Sequence, residues 1–194
     1  MSRNIKELVI AIFIGIMIAL LIHTFFFDKY TVSGDSMYPE LQNKDEIIVS
    51  KISKNLGTIN RGDIIIFHAN EKHDYIKRLI GKPGDTVHYK GDSLYINGKK
   101  IEEPYLTINK KLSSNNKITE DFKINDINGS HGKKVIPNNK YLVLGDNRLI
   151  SNDSRGQVGL LDKEKIVGKA KIRILPLSNF KYDFYPKSFN KVNN

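Results

Sequence analysis

The sequence predicts an all-β fold: a partly closed, barrel-like domain carried behind a single N-terminal transmembrane helix. Three observations predict it. An apolar run without a formal charge occupies residues 8–27. The chain beyond it offers short β-rich runs and no sustained 3.6-residue period. Gly/Asp turns separate those runs at short intervals. Curling an antiparallel sheet towards closure is a common way to bury short strands while leaving few edges open.

The apolar run comes first in the chain. At about 1.5 Å per residue, a helix over residues 8–27 spans roughly 30 Å, the thickness of a bilayer's hydrocarbon core. It leads into Phe25-Phe26-Phe27-Asp28-Lys29-Tyr30 with no A-x-A-like cleavage site, so it reads as a retained anchor rather than a removable signal. Arg3 and Lys6 favour a cytoplasmic placement of residues 1–7. Residues 28–194 then form a domain on the extracellular side of a single-pass cell-membrane protein. His23, near the outer end of the span, reads as an interfacial histidine.

The β-rich runs follow at residues 30–32, 46–49, 63–67, 75–80, 86–89, 93–96, 99–101, 140–144 and 166–175. Asn97-Gly98 between two of them is the strongest local hairpin signal, because both central residues of the favoured turn need positive φ. Arg61-Gly62-Asp63, Pro83-Gly84-Asp85 and Gly145-Asp146-Asn147 mark further turns. Residues 103–139 are polar and irregular and are expected as a surface excursion, and the tail after Phe180 as loosely held.

At 194 residues the chain suffices for one domain with a real core. It contains no cysteine, which excludes disulfides and thiolate metal sites. A formal charge of +10 favours anionic surfaces, an anionic lipid bilayer among them. The lysines are scattered and form no basic helix, so nucleic acid is not the expected partner.

Two small residues and a proline bracket Ser36 in Ser33-Gly34-Asp35-Ser36-Met37-Tyr38-Pro39, which suits a tight turn with an exposed hydroxyl. A serine hydroxyl is a poor nucleophile until a base takes its proton. Spacing alone leaves a Ser-His-Asp triad open, since triad partners occur in any chain order. His68, Glu71 and His73 match no zinc spacing and read as a solvated turn, and His88 reads as a surface strand residue. No cofactor and no metal are expected.

Lys77 stands inside an apolar strand, with Tyr75, Lys77 and Leu79 on one face and Ile76, Arg78 and Ile80 on the other. Burial disfavours an ammonium and lowers its pKa. At a pKa of about 10.4, about one lysine in 2,500 is neutral at pH 7; at 8 it is about one in ten. Physical chemistry makes Lys77 an available base without selecting it over the alternatives.

Four blocks occur in order behind the anchor: Ser33-Gly34-Asp35-Ser36-Met37-Tyr38-Pro39, Arg61-Gly62-Asp63-Ile64, Lys77-Arg78-Leu79-Ile80-Gly81-Lys82-Pro83-Gly84-Asp85, and Gly145-Asp146-Asn147-Arg148 followed by Ser151-Asn152-Asp153-Ser154-Arg155. Together they resemble the bacterial type I signal peptidases, or leader peptidases, in their short Gram-positive form. The resemblance implies a Ser/Lys serine endopeptidase that removes signal peptides from exported preproteins after a small-x-small motif. It makes Ser36 the nucleophile and Lys77 the base, with Ser151 orienting the amine. It makes Asp146, Asp153, Arg78 and Arg155 bracing charges, gives the oxyanion to the Ser36 N–H with Gly34, and lines small substrate pockets with Val32 and Ile76.

This chain departs from the family pattern at Gly34, where some relatives carry a serine donor. It departs again at Leu149-Ile150, where a more polar pair is common. Met37 and Tyr38, with Tyr30 and residues 25–27, are expected to form an apolar rim at the membrane interface. Two other readings compete: a catalytically silent module that binds exported chains or wall polymer, and a self-cleaving relative.

Overall fold

The computed structural model describes residues 3–55 and 57–193; the side chains of residues 3, 4, 19–25 and 55 lie outside that description, and His23 with them. Helix α1 (Arg3–Phe26) opens the chain. Its described apolar side chains, Leu8, Ile12, Phe13 and Ile16 among them, are exposed. Among the described residues no helix is long and apolar enough to cross a membrane. The anchor expected over residues 8–27 falls partly outside the described residues.

The remainder is mostly β, and every strand pairing is antiparallel. The larger sheet contains β1 (Phe27–Thr31), β2 (Glu46–Ser50), β3 (Ile64–His68), β4 (Asp74–Gly81), β9 (Lys140–Leu144), β10 (Leu161–Asp162) and β11 (Ile166–Leu175). Their order is β1-β2-β11-β3-β4-β9-β10, with β12 (Lys181–Tyr182) paired to β11. The smaller sheet runs β7 (Lys99–Ile101), β6 (Ser93–Ile96), β5 (Val87–Lys90), β8 (Phe122–Lys123). Asn97 and Gly98 both adopt positive φ between β6 and β7, as the hairpin signal requires.

The continuous apolar run in β3 is explained by burial on both faces. Ile64 and Ile66 pack with Val32, Met37, Leu41, Ile47 and Val49. Ile65 and Phe67 pack on the other side with Ile59, Leu79, Val143 and Ile166. A third cluster, including Ile80, Tyr89, Leu94, Ile96, Leu142 and Phe189, joins the two sheets. Full burial of a single such side chain stabilises by about 1.5–3 kcal/mol, so β4, which feeds two of these clusters, is held rigidly.

Three expectations are corrected. Residues 103–139 are not only a surface excursion: they include α2 (Thr107–Leu112) and bury Leu106, Ile118, Ile124 and Ile136. Their anchoring apolar residues are spaced too irregularly to show a period. The tail is held as well, with Phe184 and Phe189 buried and Asn193 Nδ2 donating to the Arg61 carbonyl at 2.8 Å. Met37 is only 1% exposed, so it belongs to the core and not to an apolar rim.

Candidate active site

Gly34 is placed by its backbone. Its φ of +82° favours glycine, and its N–H donates to Asn43 Oδ1 at 3.1 Å. The chain then turns, with the Tyr38 N–H donating to the Asp35 carbonyl at 3.1 Å. From the opposite side the Asn147 N–H donates to the Ser36 carbonyl at 3.0 Å, and Asn147 Nδ2 to the Asp35 carbonyl at 3.2 Å. Ser36 is thus clamped between two loops, and its hydroxyl faces β4.

Lys77 meets it there. Lys77 Nζ donates to Ser36 Oγ at 2.8 Å and to the Ile76 carbonyl at 2.9 Å. The lysine is 3% exposed, and its amine lies 5.2 Å from the centre of the Tyr75 ring. Burial lowers its pKa from the ordinary 10.5 to about 8, with Asp153 and Asp146 opposing the fall. An amine that readily gives up its proton, in contact with a hydroxyl, can accept the hydroxyl's proton in turn.

The neighbouring cation is treated differently. Arg78, fully buried, donates through Nε and Nη2 to the two carboxylate oxygens of Asp146 at 2.9 and 2.6 Å. Its Nη1 reaches the carbonyls of Gly62 and Phe184 at 2.7 and 3.0 Å. Arg155 forms a second two-pronged pair, with Nε and Nη2 donating to Asp153 at 2.9 and 2.8 Å. The Asp153 carboxyl is held below its ordinary range: burial pushes it up, but Arg155 and the N–H groups of Gly145 and Arg155 outweigh that. The four bracing charges therefore sort into Arg78–Asp146 and Arg155–Asp153.

Gly145 lets these parts close together. A Cβ there would lie 2.2 Å from Ser151 Oγ and 2.5 Å from the Ser36 carbonyl oxygen. Ser151 Oγ is buried with no hydrogen-bond partner among the described residues, so it lies close to Ser36 across Gly145 without a bond to Lys77. Val32, Ile76, Ser36, Lys77 and Gly34 line one cleft of 320 Å³, together with Tyr30, Ile150 and Asn152. Among the described residues no group of acidic or histidine side chains is placed to hold a metal ion; His68 Nδ1 instead pairs with Asp74 at 2.6 Å.

Two supporting groups escaped the sequence reading. Arg148 Nε donates to the Gly145 carbonyl at 3.0 Å, and its Nη2 to Glu103 Oε1 at 2.6 Å. The same Glu103 oxygen accepts from the hydroxyls of Tyr89 and Tyr105, both at 2.7 Å. Asn109 Nδ2 bridges the carbonyls of Tyr38 and Asp146 at 2.6 and 2.9 Å. Arg148 stands within the Gly145-Asp146-Asn147-Arg148 block, which was its only signal. Glu103 and Asn109 had none, since their partners are remote in sequence.

The family described as "Signal peptidase, peptidase S26" matches residues 5–175. Signal peptidase IB of Staphylococcus aureus (strain MRSA252) is 43% identical over 189 residues, covering 97% of this chain and 98% of that protein. Signal peptidase I S of Bacillus subtilis (strain 168) is 43% identical over 183 residues, covering 93% and 94%. A crystal structure of a signal peptidase I from Enterococcus faecalis V583 superposes with a TM-score of 0.52 at 39% identity, covering 57% of this chain and 95% of that one. The chain belongs to the signal peptidase family, peptidase S26, and is an enzyme of the type I signal peptidase class.

Proposed function

We propose that Ser36 and Lys77 form the catalytic dyad of a membrane-bound endopeptidase that removes signal peptides after a small-x-small motif. The observation that carries this reading is the 2.8 Å contact between Lys77 Nζ and Ser36 Oγ, made by an amine whose pKa burial lowers to about 8. In the working state the neutral amine accepts the hydroxyl proton as Oγ attacks the scissile carbonyl carbon. The C–N bond then breaks, and the departing amine takes the proton from Lys77. The resulting acyl ester is attacked by water, whose proton the same lysine accepts; the bond between the acyl carbon and Oγ then breaks, and Lys77 returns the proton to Ser36 Oγ.

The Ser36 N–H is the backbone donor for the oxyanion. Gly34 does not share that role in this reading, because its N–H is committed to Asn43. Ser151 receives or orients the amine when it turns from the Ile76 carbonyl. The substrate adds as a strand between residues 30–34 and 74–76, with Val32 and Ile76 closing pockets that admit small side chains. Helix α1 anchors the enzyme in the cell membrane, with the catalytic domain outside and the +10 charge favouring anionic lipid.

Ser36→Ala and Lys77→Met, assayed on a preprotein with an Ala-x-Ala site, test the dyad directly. Both are expected to abolish cleavage while remaining folded. Full activity in either variant refutes the assignment.

A further inference from the structure

Leu149 and Ile150 are 66% and 65% exposed. Two adjacent large aliphatic side chains standing in solvent carry a hydration cost. They are not at an arbitrary place. Ile150 lines the same cleft as Ser36 and Lys77. The turn that carries the pair is fixed to the nucleophile: the Asn147 N–H donates to the Ser36 carbonyl at 3.0 Å, and the N–H groups of Ile150 and Ser151 return to the Asn147 carbonyl at 3.3 and 3.1 Å. Arg148, buried on Glu103, holds the turn from behind.

The direction of the substrate decides what this pair meets. Val32 and Ile76 line the cleft between residues 30–34 and 74–76, where the reading above lays the residues before the scissile bond. The segment after the bond must leave past Ser36, where the Asn147 turn is seated. We infer that Leu149 and Ile150 form a subsite for apolar side chains at the first two positions beyond the scissile bond, a specificity element belonging to this sequence. The inference rests on the Ser36/Lys77 reading of the cleft.

Peptides identical up to the scissile bond, with Leu or Asn at each of the two following positions, test it with the full chain in detergent micelles. The wild type is expected to cleave the Leu-bearing peptides about tenfold faster in kcat/KM. The double variant Leu149→Asn with Ile150→Asn is expected to bring that ratio within twofold, whatever its absolute rate, with an unchanged melting temperature. A ratio that persists in the variant overturns the inference. So does a variant that alters preference only before the bond, or one that loses activity only on preprotein embedded in anionic vesicles, which assigns the pair to the bilayer. Peptide cleavage that survives Ser36→Ala, or no cleavage by the wild type, removes the underlying dyad reading instead.

Discussion

Lys77 and Arg78 are consecutive residues of one strand, both buried, both cations by default, and the fold does opposite things with them. Arg78 meets a carboxylate in a two-pronged pair and two carbonyl oxygens, so its charge is compensated where it stands. Lys77 meets a hydroxyl, a carbonyl and an aromatic ring, with Asp153 and Asp146 already engaged by arginines. The alternation of a β-strand makes this possible, because neighbouring side chains face different surroundings. A cation whose counter-ion is supplied keeps its charge, and one buried without a dedicated counter-ion gives up its proton more readily.

The widest separation between the two should come from removing each in turn. Arg78→Met leaves Asp146 buried without a partner, and urea unfolding should show a loss of about 3–5 kcal/mol. Lys77→Met should instead leave the protein as stable or more stable at pH 7 while peptide cleavage falls by at least about 100-fold. Equal destabilisation by the two variants would break the contrast.

The pH dependence sharpens it. Below pH 8 the Lys77 amine is protonated both in the folded and in the unfolded chain, and the cost of burying the charge is present in full. Between pH 8 and 10.5 the folded state has released a proton that the unfolded state still binds, so this group makes stability rise with pH, by about 3 kcal/mol in all. Denaturant midpoints of wild type and Lys77→Met should converge across that window. The kcat/KM profile should climb with a midpoint near 8 and stay level above it.

Smaller effects concern the loop that brings the counter-charges close. Gly145→Ala places a methyl group against Ser151 and the Ser36 carbonyl, and should cost about 2 kcal/mol in thermal unfolding and slow cleavage. Ser151→Ala removes a buried hydroxyl that has no hydrogen-bond partner among the described residues, so stability should change by less than about 1 kcal/mol. In that variant kcat should drop about tenfold with KM retained, separating a positioning role from a purely structural one.

Much of this was legible before any coordinates. The strands of the large sheet announce themselves through runs such as Ile64-Ile65-Ile66-Phe67, and the turn at Asn97-Gly98 through its demand for positive φ. Ser36, Lys77 and the arginine–aspartate residues were found through their motif blocks, although the pairing of the charges needed three dimensions. What stayed hidden depends on contacts between remote positions. Glu103 reads as one acid in a polar stretch, yet it gathers Tyr89, Tyr105 and Arg148 around a single oxygen. Met37 beside Tyr38 looks like a surface rim, but the turn at Gly34 directs it into the core. No periodicity encodes either event.

The central claim is that Lys77 is held as an amine ready to lose its proton because its charge has no dedicated counter-ion among the described residues. Titration of 13Cε-labelled lysine in the full chain by NMR, with Lys77→Met to identify the signal, measures this directly. A resonance present only in the wild type and titrating near pH 8 is the expected result. A Lys77 signal that titrates at 10.5 with the exposed lysines would contradict the claim.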